Sequence, residues 1–459
     1  MTALATRAGE RSAHQQRQRT TEPGWTFSAH LLWWLIAGCI CLTIASLVLT
    51  PAIGFDPESW IVWARELLGP GNLDTRTGPS WHPLQVLLIA PFTLLTRGQA
   101  DVYFWLFIAR LGALLCVVSA ALVAARFAGR VAGLLAAVLV IVSPWWVYDG
   151  TLGAAEPLAG ALCLFAVLAH LDDRRRLATA LLFLVGLIRP EVWPLLGVYA
   201  IWLVYRRRLP WWVLALDGLA TLAAWGIPEL ANAGEGAANA AHAAPASADA
   251  VHYASPFLRV LVVAVRQGGW LPSLFVVIAA IATAARLRVV GLGTGRGLAA
   301  WLSPAAPAEL ALLAGGLVWV LVVALETQFV GFAGNSRYLE PALAGLTVVA
   351  AVTAVRIARN AYVRTGLLVL TTCLTAGSAL AANRQNIRGI KKQEQVVTLM
   401  RQELKELNCP GRAWTRTRTA WLAELTGESN QAAMRLLHTP PPPTGWYVSC
   451  APANAKVVP

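Results

Sequence analysis

The chain has 459 residues, of which 57% are hydrophobic and 13% charged, against about 25% charged in an average soluble domain. A water-soluble globular fold is excluded, because no core of this size hides that much apolar surface. The net charge of +13 does not indicate nucleic acid, because the basic residues form short clusters at the ends of apolar runs, the pattern of cytoplasmic loops in membrane proteins.

In chain order, a polar tail at 1–30 carries Arg7, Arg11, Arg17 and Arg19, which hold the N-terminus on the cytoplasmic side. The apolar run at 31–50 follows this long leader without a clear small-x-small cleavage site and reads as an uncleaved first helix. It delivers residues 51–101 to the outer face as a first outer loop. That loop is polar and turn-rich apart from an apolar segment at 84–95, which is too short to cross about 30 Å of hydrocarbon and is expected as an embedded or re-entrant helix. Further spanning helices are expected near 102–125, 131–147, 156–171, 177–188, 191–205, 211–228, 269–285, 308–326, 339–355 and 365–382. The basic clusters at 126–130, 172–176, 206–208, 286–296 and 356–364 then all fall inside. The pair 177–188 and 191–205 breaks at Arg189-Pro190 and predicts a shallow hairpin turning in the outer half of the membrane, where broken helices line cavities.

The expected architecture is thus an all-α polytopic membrane protein of about eleven helices, in the plasma membrane. An odd number of crossings places residues 383–459 outside. This tail reads as a small extracytoplasmic α/β domain, with an amphipathic helix at 390–407 and a strand near 446–450. Of the seven cysteines, five lie in apolar runs and read as small core residues. Cys409 and Cys450 lie in the tail, where an oxidising compartment would join them as a disulfide. The Ala/Gly/Asn-rich loop at 229–256 is expected to be outside and mobile. No Cys/His spacing suggests a structural zinc site.

Charged residues at membrane depth or at its outer edge are functional candidates, because their desolvation is costly. Asp56 and Glu58, in Gly54-Phe55-Asp56-Pro57-Glu58, follow the first helix; a carboxylate there serves either as a general base for an acceptor hydroxyl or as a cap for the next helix. Trp81-His82-Pro83 opens the embedded helix, and His82 reads equally as a phosphate donor and as an interfacial residue beside an aromatic anchor. Tyr148, Asp149 and Glu156 occupy one turn between helices, where Glu156 also suits a helix N-terminus. Arg189-Pro190-Glu191 and Arg337-Tyr338 offer guanidinium groups suited to bidentate phosphate recognition. The structural alternatives are local Arg189 to Glu191 and Arg337 to Glu340 ion pairs.

The first-loop carboxylate, Trp81-His82-Pro83-Leu84, the run Leu152-Gly153-Ala154-Ala155-Glu156-Pro157-Leu158, Leu187-Ile188-Arg189-Pro190-Glu191 and Asn335-Ser336-Arg337-Tyr338-Leu339-Glu340-Pro341 recur in this order in GT-C glycosyltransferases. The sequence resembles actinobacterial members of that class, related to the protein mannosyltransferase and lipid A aminoarabinose transferase families, over residues 31–382. The resemblance implies a GT-C membrane domain that transfers a sugar from a polyprenyl-phosphate donor to a glycan, lipid or protein acceptor on the extracytoplasmic side. It makes Asp56 the general base of an inverting displacement, beside which Glu58, Asp149 and Glu156 are candidates for catalytic support or for a metal. Arg189, Arg337 and His82 become donor-phosphate ligands, and Trp81, Tyr148, Glu191 and Tyr338 line the substrate cavity. It requires no cofactor and allows a divalent metal bridging Asp56 and Asp149. The sequence departs from the class in having Asp-Pro-Glu rather than a paired Asp-Glu, and His82-Pro83-Leu84 in place of a double proline. A transporter or flippase is the competing reading, as is a scaffold without catalysis; against transport, the chain shows no convincing internal repeat and its charges sit at outer helix ends rather than at the midplane.

Overall fold

A computed structural model describes residues 29–48, 53–68, 81–96, 100–231, 255–290, 307–331 and 334–358, two strands at 413–415 and 448–450, and single positions elsewhere. Among the described residues the chain is a bundle of fourteen α-helices. α1 (Ala29–Ser46) leads to the outer loop. α2 (Phe55–Leu68) and α3 (Pro83–Thr96) then precede α4 (Asp101–Ala128), α5 (Arg130–Val142), α6 (Pro144–Leu152), α7 (Glu156–Leu171) and α8 (Arg175–Ile188). After a 3₁₀ turn at Pro190–Val192 come α9 (Trp193–Tyr205), α10 (Trp211–Ala231), α11 (Pro256–Gly268), α12 (Trp270–Val290) and α13 (Pro307–Leu325). A π-turn (Glu326–Val330) and a 3₁₀ turn (Ser336–Leu339) lead into α14 (Glu340–Ile357).

Four of the described helical stretches are long and apolar enough to cross a membrane, or up to six if each of two bent pairs is one span. α1, α3 and α7 are shorter apolar helices. The embedded helix expected at 84–95 is α3. The helix expected at 131–147 is instead two, α5 and α6, bent by 63°: Pro144 lacks an N–H and forces Ser143 into an extended backbone with ψ 134. A helix also occupies 256–268, where only an outer loop edge was expected. It meets α12 at 111° and therefore lies across the bundle rather than along it. The hairpin broken at Arg189-Pro190 is present as α8 and α9. In the outer loop, the helix expected to follow Asp56-Pro57-Glu58 runs from Phe55 to Leu68.

α14 is the central post. Its residues from Glu340 to Val355 are buried almost without interruption, and it packs on α4, α5, α7, α12 and α13. Its Ala, Val, Gly and Thr content allows the close backbone approach by which membrane helices associate, since lipid offers no hydrophobic driving force between them. Where α4, α7 and α14 meet, a Cβ on Gly160 would lie 3.2 Å from the Ala344 Cβ and 3.3 Å from the Cys116 Sγ. A buried ion pair ties α14 to α13, with the Arg356 guanidinium donating to both Glu309 oxygens at 2.5 and 2.8 Å. Arg110, deep in α4, donates to the Ser46 carbonyl at the end of α1 at 2.7 Å, which satisfies an orphan helix carbonyl in an apolar setting.

In the tail, β1 (Ala413–Thr415) pairs antiparallel with β2 (Val448–Cys450), Ala413 opposite Cys450. Cys409, most of the helix expected at 390–407, the tail at 1–28 and the loop at 232–254 lie outside the described residues. The last expected span, 365–382, is described only at single positions. The described cysteines Cys39, Cys41, Cys116, Cys163 and Cys373 are free thiols.

Candidate active site

Four elements bring charged side chains to one end of the bundle. The Gly54 N–H donates to the Leu152 carbonyl at 2.8 Å, which fixes the entry to α2 against the end of α6. Pro57 then sits in the first turn of α2, where a missing N–H costs nothing, and Asp56 is turned inward with 6% exposure. Pro157 does the same for α7, whose first residue is Glu156, 1% exposed. Arg189 ends α8 in an extended conformation (φ −140, ψ 118) because Pro190 disfavours helix at the preceding residue; it is 2% exposed.

Arg337 comes from the turn before α14, which is pinned from three sides. The Trp319 indole N–H donates to the Tyr338 carbonyl at 2.9 Å, and the Tyr338 N–H to the Asn335 carbonyl at 3.1 Å. Arg259, reaching across from α11, donates to the Gly334 carbonyl at 3.1 Å. Gly334 adopts φ +57, and a Cβ there would meet the Thr327 Oγ1 at 2.6 Å, so the turn admits only glycine.

These side chains form one ion-pair cluster. Arg337 donates to Asp56, and its Nε lies 3.6 Å from the Glu156 Oε1. Arg189 donates to the same Glu156 oxygen. The Tyr338 ring stacks between the cations, its centroid 4.3 Å from the Arg189 and 5.6 Å from the Arg337 guanidinium carbon, an attractive cation–π geometry. Glu156 therefore bridges two arginines from the first turn of α7, where a carboxylate also suits the helix N-terminus. The local ion pairs are replaced by distant ones as well. Arg189 takes Glu156 instead of Glu191, and Arg337 takes Asp56 and Glu156 instead of Glu340.

Asp149 on α6 is partly buried and Glu340, at the head of α14, is fully buried. Glu191 is 3% exposed, with its Oε2 unpartnered, and Tyr148 is partly buried. Among the described residues no group of three or more His, Cys, Asp or Glu is placed to hold a metal ion.

Trp81 and His82 belong to an aromatic wall beside the cluster. The Trp81 indole N–H donates to the Ala224 carbonyl at 2.9 Å. His82 lies between Trp60, at 5.2 Å, and Trp225, at 5.7 Å between ring centroids. Trp60, Trp225, Arg259 and Glu340 escaped sequence reasoning. Of these only Glu340 stood in a quoted motif; the others lie in helices whose apolar composition gave no chemical signal. Beyond Glu340, the α14 residues Leu343, Leu346 and Thr347 line an apolar cavity of about 280 Å³ with Leu261, Val276 and Val320.

No family model matches the chain, and no curated protein matches it. Two solved structures do. ArnT from Cupriavidus metallidurans in the apo state is 15% identical with a TM-score of 0.50, and the same protein bound to undecaprenyl phosphate is 13% identical with a TM-score of 0.51. Each match covers 88% of this chain and 86% of the other. The likeness spans nearly the whole membrane bundle at an identity too low to carry chemistry. This chain is therefore a multi-pass membrane protein whose fold is similar to that of ArnT.

Proposed function

We propose that the protein is a membrane glycosyltransferase that moves a sugar from a polyprenyl-phosphate carrier to an acceptor hydroxyl at the extracytoplasmic face, with Asp56 as general base. The reading rests on one observation above others: Asp56, Glu156, Arg189, Arg337 and Tyr338, from four separated segments, converge in one buried cluster. Burying so many charges is expensive and contributes little net stability, so the arrangement calls for a chemical reason. A solved structure of the same fold, ArnT, binds undecaprenyl phosphate, which agrees with a lipid phosphate as the group the arginines await.

The chemistry follows from the groups present. The donor phosphate competes with carboxylates for Arg337 and Arg189. When it takes the Arg337 guanidinium, the Asp56 carboxylate is released as a base. Asp56 then removes the proton of the acceptor hydroxyl as its oxygen attacks the anomeric carbon. The new carbon–oxygen bond forms as the bond to the phosphate oxygen breaks from the opposite side, the configuration inverts, and the bonding pair leaves on polyprenyl phosphate. The two arginines stabilise the charge that develops on that leaving group in a site closed to water. The apolar cavity beside α14 offers the carrier's isoprenoid chain a lateral path. Eleven crossings, an inside N-terminus and an outside C-terminal domain complete the proposed topology.

The test is to offer the purified protein, in lipid, a panel of undecaprenyl-phosphate sugars with crude envelope acceptors and to follow release of undecaprenyl phosphate. Wild type should release it, and Asp56→Asn should lose about 10²- to 10⁴-fold of that rate, the usual range for a general base, while keeping its thermal unfolding midpoint. Full activity in Asp56→Asn would remove that residue from the mechanism. No release from any donor would defeat the enzyme reading.

A further inference from the structure

A continuous chain of contacts links the ion-pair cluster to the aromatic wall. Asp56 and Trp60 stand one turn apart on the same face of α2. Trp60 packs on His82 and His82 on Trp225. The Trp225 indole N–H donates to the Gly186 carbonyl at 3.0 Å, one turn before Arg189. Arg189, Glu156 and Arg337 lead back to Asp56.

Along this chain of contacts the protein leaves hydrogen-bonding capacity unused. Gln85 follows His82 by one turn on the same face of α3. It is 1% exposed, and among the described residues neither its Nε2 nor its Oε1 has a partner. The Trp60 Nε1, on a side chain 1% exposed, is also unpartnered. Buried amides in native proteins are nearly always satisfied, so a wholly unsatisfied one signals a group that arrives from outside. A carboxamide both donates and accepts. A phosphate ester only accepts, and a prenyl chain does neither. A sugar hydroxyl does both, and a pyranose or furanose also presents C–H faces that pack on indole rings.

We propose that Trp60, His82, Trp225 and Gln85 form the seat of the transferred sugar, with the Gln85 amide and the Trp60 N–H bonded to its hydroxyls. The proposal rests on the glycosyltransferase reading above and adds the residues that distinguish a loaded carrier from a bare one. The phosphate lies toward Arg337 and Arg189, the sugar toward Gln85, and the anomeric carbon falls between them, next to Asp56.

The test compares binding of undecaprenyl phosphate, bare or carrying a hexose, a pentose or an amino sugar, to the full-length protein in lipid nanodiscs. Wild type should prefer at least one loaded carrier to the bare one. Gln85→Met conserves volume and removes the unsatisfied amide, so its thermal midpoint should equal or exceed that of wild type. It should lose about tenfold in affinity for the preferred loaded carrier, the worth of one or two neutral hydrogen bonds, and nothing for the bare carrier. Trp60→Phe should show a smaller loss with the same asymmetry. Equal losses for bare and loaded carriers, no loss for either, or a wild type indifferent to every sugar would each overturn the sugar seat and leave the carrier-phosphate reading standing. A wild type that binds neither form would overturn both.

Discussion

Glu156 is the residue on which both arginines depend. It is 1% exposed, and one of its oxygens faces Arg189 and Arg337 together. Replacing it by glutamine leaves two guanidinium groups with one carboxylate between them, Asp56, in a site that excludes water. Removing one partner of a buried ion pair costs about 3–5 kcal/mol, and here the remaining pair is partly exposed on the Arg337 side (22%), which places Glu156→Gln at the lower end. Its thermal midpoint in detergent should fall clearly below that of wild type, whereas Asp56→Asn should not follow it. A midpoint unchanged in Glu156→Gln would mean that the bridge does not hold the cluster together. At this scale the sequence was informative about identities and poor about partners. Asp56, Glu156, Arg189 and Arg337 are legible because charge in an apolar chain is rare enough to stand out. Their pairing is not, because Asp56 and Arg337 are 281 positions apart and Glu156 and Arg189 are 33 apart. Only neighbours such as Glu191 and Glu340 can be proposed from spacing, and those were the wrong partners.

Among the elements, α14 carries the prediction. Near the middle of α13, a Cβ on Gly316 would lie 2.7 Å from the Leu346 Cγ and 3.4 Å from the Ala342 carbonyl oxygen, so the Leu346 side chain of α14 fills the space that a larger residue would need. Gly316→Val should overpack this contact at about 1–3 kcal/mol. Because α14 also carries the turn that presents Arg337, transfer activity should fall along with the thermal midpoint. Gly218→Val on α10, where a Cβ meets nothing within 4 Å, is the control and should change neither. Loss of both properties in the control, or of neither in Gly316→Val, would count against α14 as the post. Spanning helices were legible because apolar length is a strong signal. The elements missed were those whose role is set by tertiary context. α2, the helix that Asp56-Pro57-Glu58 was expected to cap, is not among them, and its polar residues Asp56, Glu58 and Glu66 face a buried interior rather than water. α11 was hidden because a short amphipathic helix lying across a bundle has no length signature. The bend between α5 and α6 was written in Pro144, but an apolar run continuing on both sides of a proline also suits a single kinked span.

Over the whole molecule, chain parity sorts most of the described charges to one of two ends; Arg110 and Asp217 lie inside α4 and α10. α4 runs from Asp101, which pairs with Arg65 at 3.0 Å, to Arg126, which pairs at 2.9 Å with Asp172 just past the end of α7. α7 starts at Glu156 and ends at Asp172; α8 starts among Arg174 to Arg176 and ends at Arg189; α9 starts beside Glu191 and ends at Arg206 to Arg208. α14 starts at Glu340 and finishes at Arg356, which holds Glu309 at the start of α13. Read in this way, the arginine clusters at 126, 174–176, 206–208 and 356 occupy one end, and Asp56, Glu156, Arg189, Arg337 and Glu340 the other. On the proposed topology the excess of basic residues lies on the cytoplasmic side, and the ion-pair cluster then faces outward. A reporter at each end tests this without touching the site. In intact cells a membrane-impermeant maleimide should leave a cysteine at Arg206 unmodified until the membrane is permeabilised. Cys450 should become reactive from outside once reduced, because the same parity carried through the proposed last span puts the C-terminal domain with the cluster. Labelling of the Arg206→Cys protein in intact cells would invert the molecule. A lipid-linked donor presented at the outer leaflet would then meet basic loops instead of Asp56.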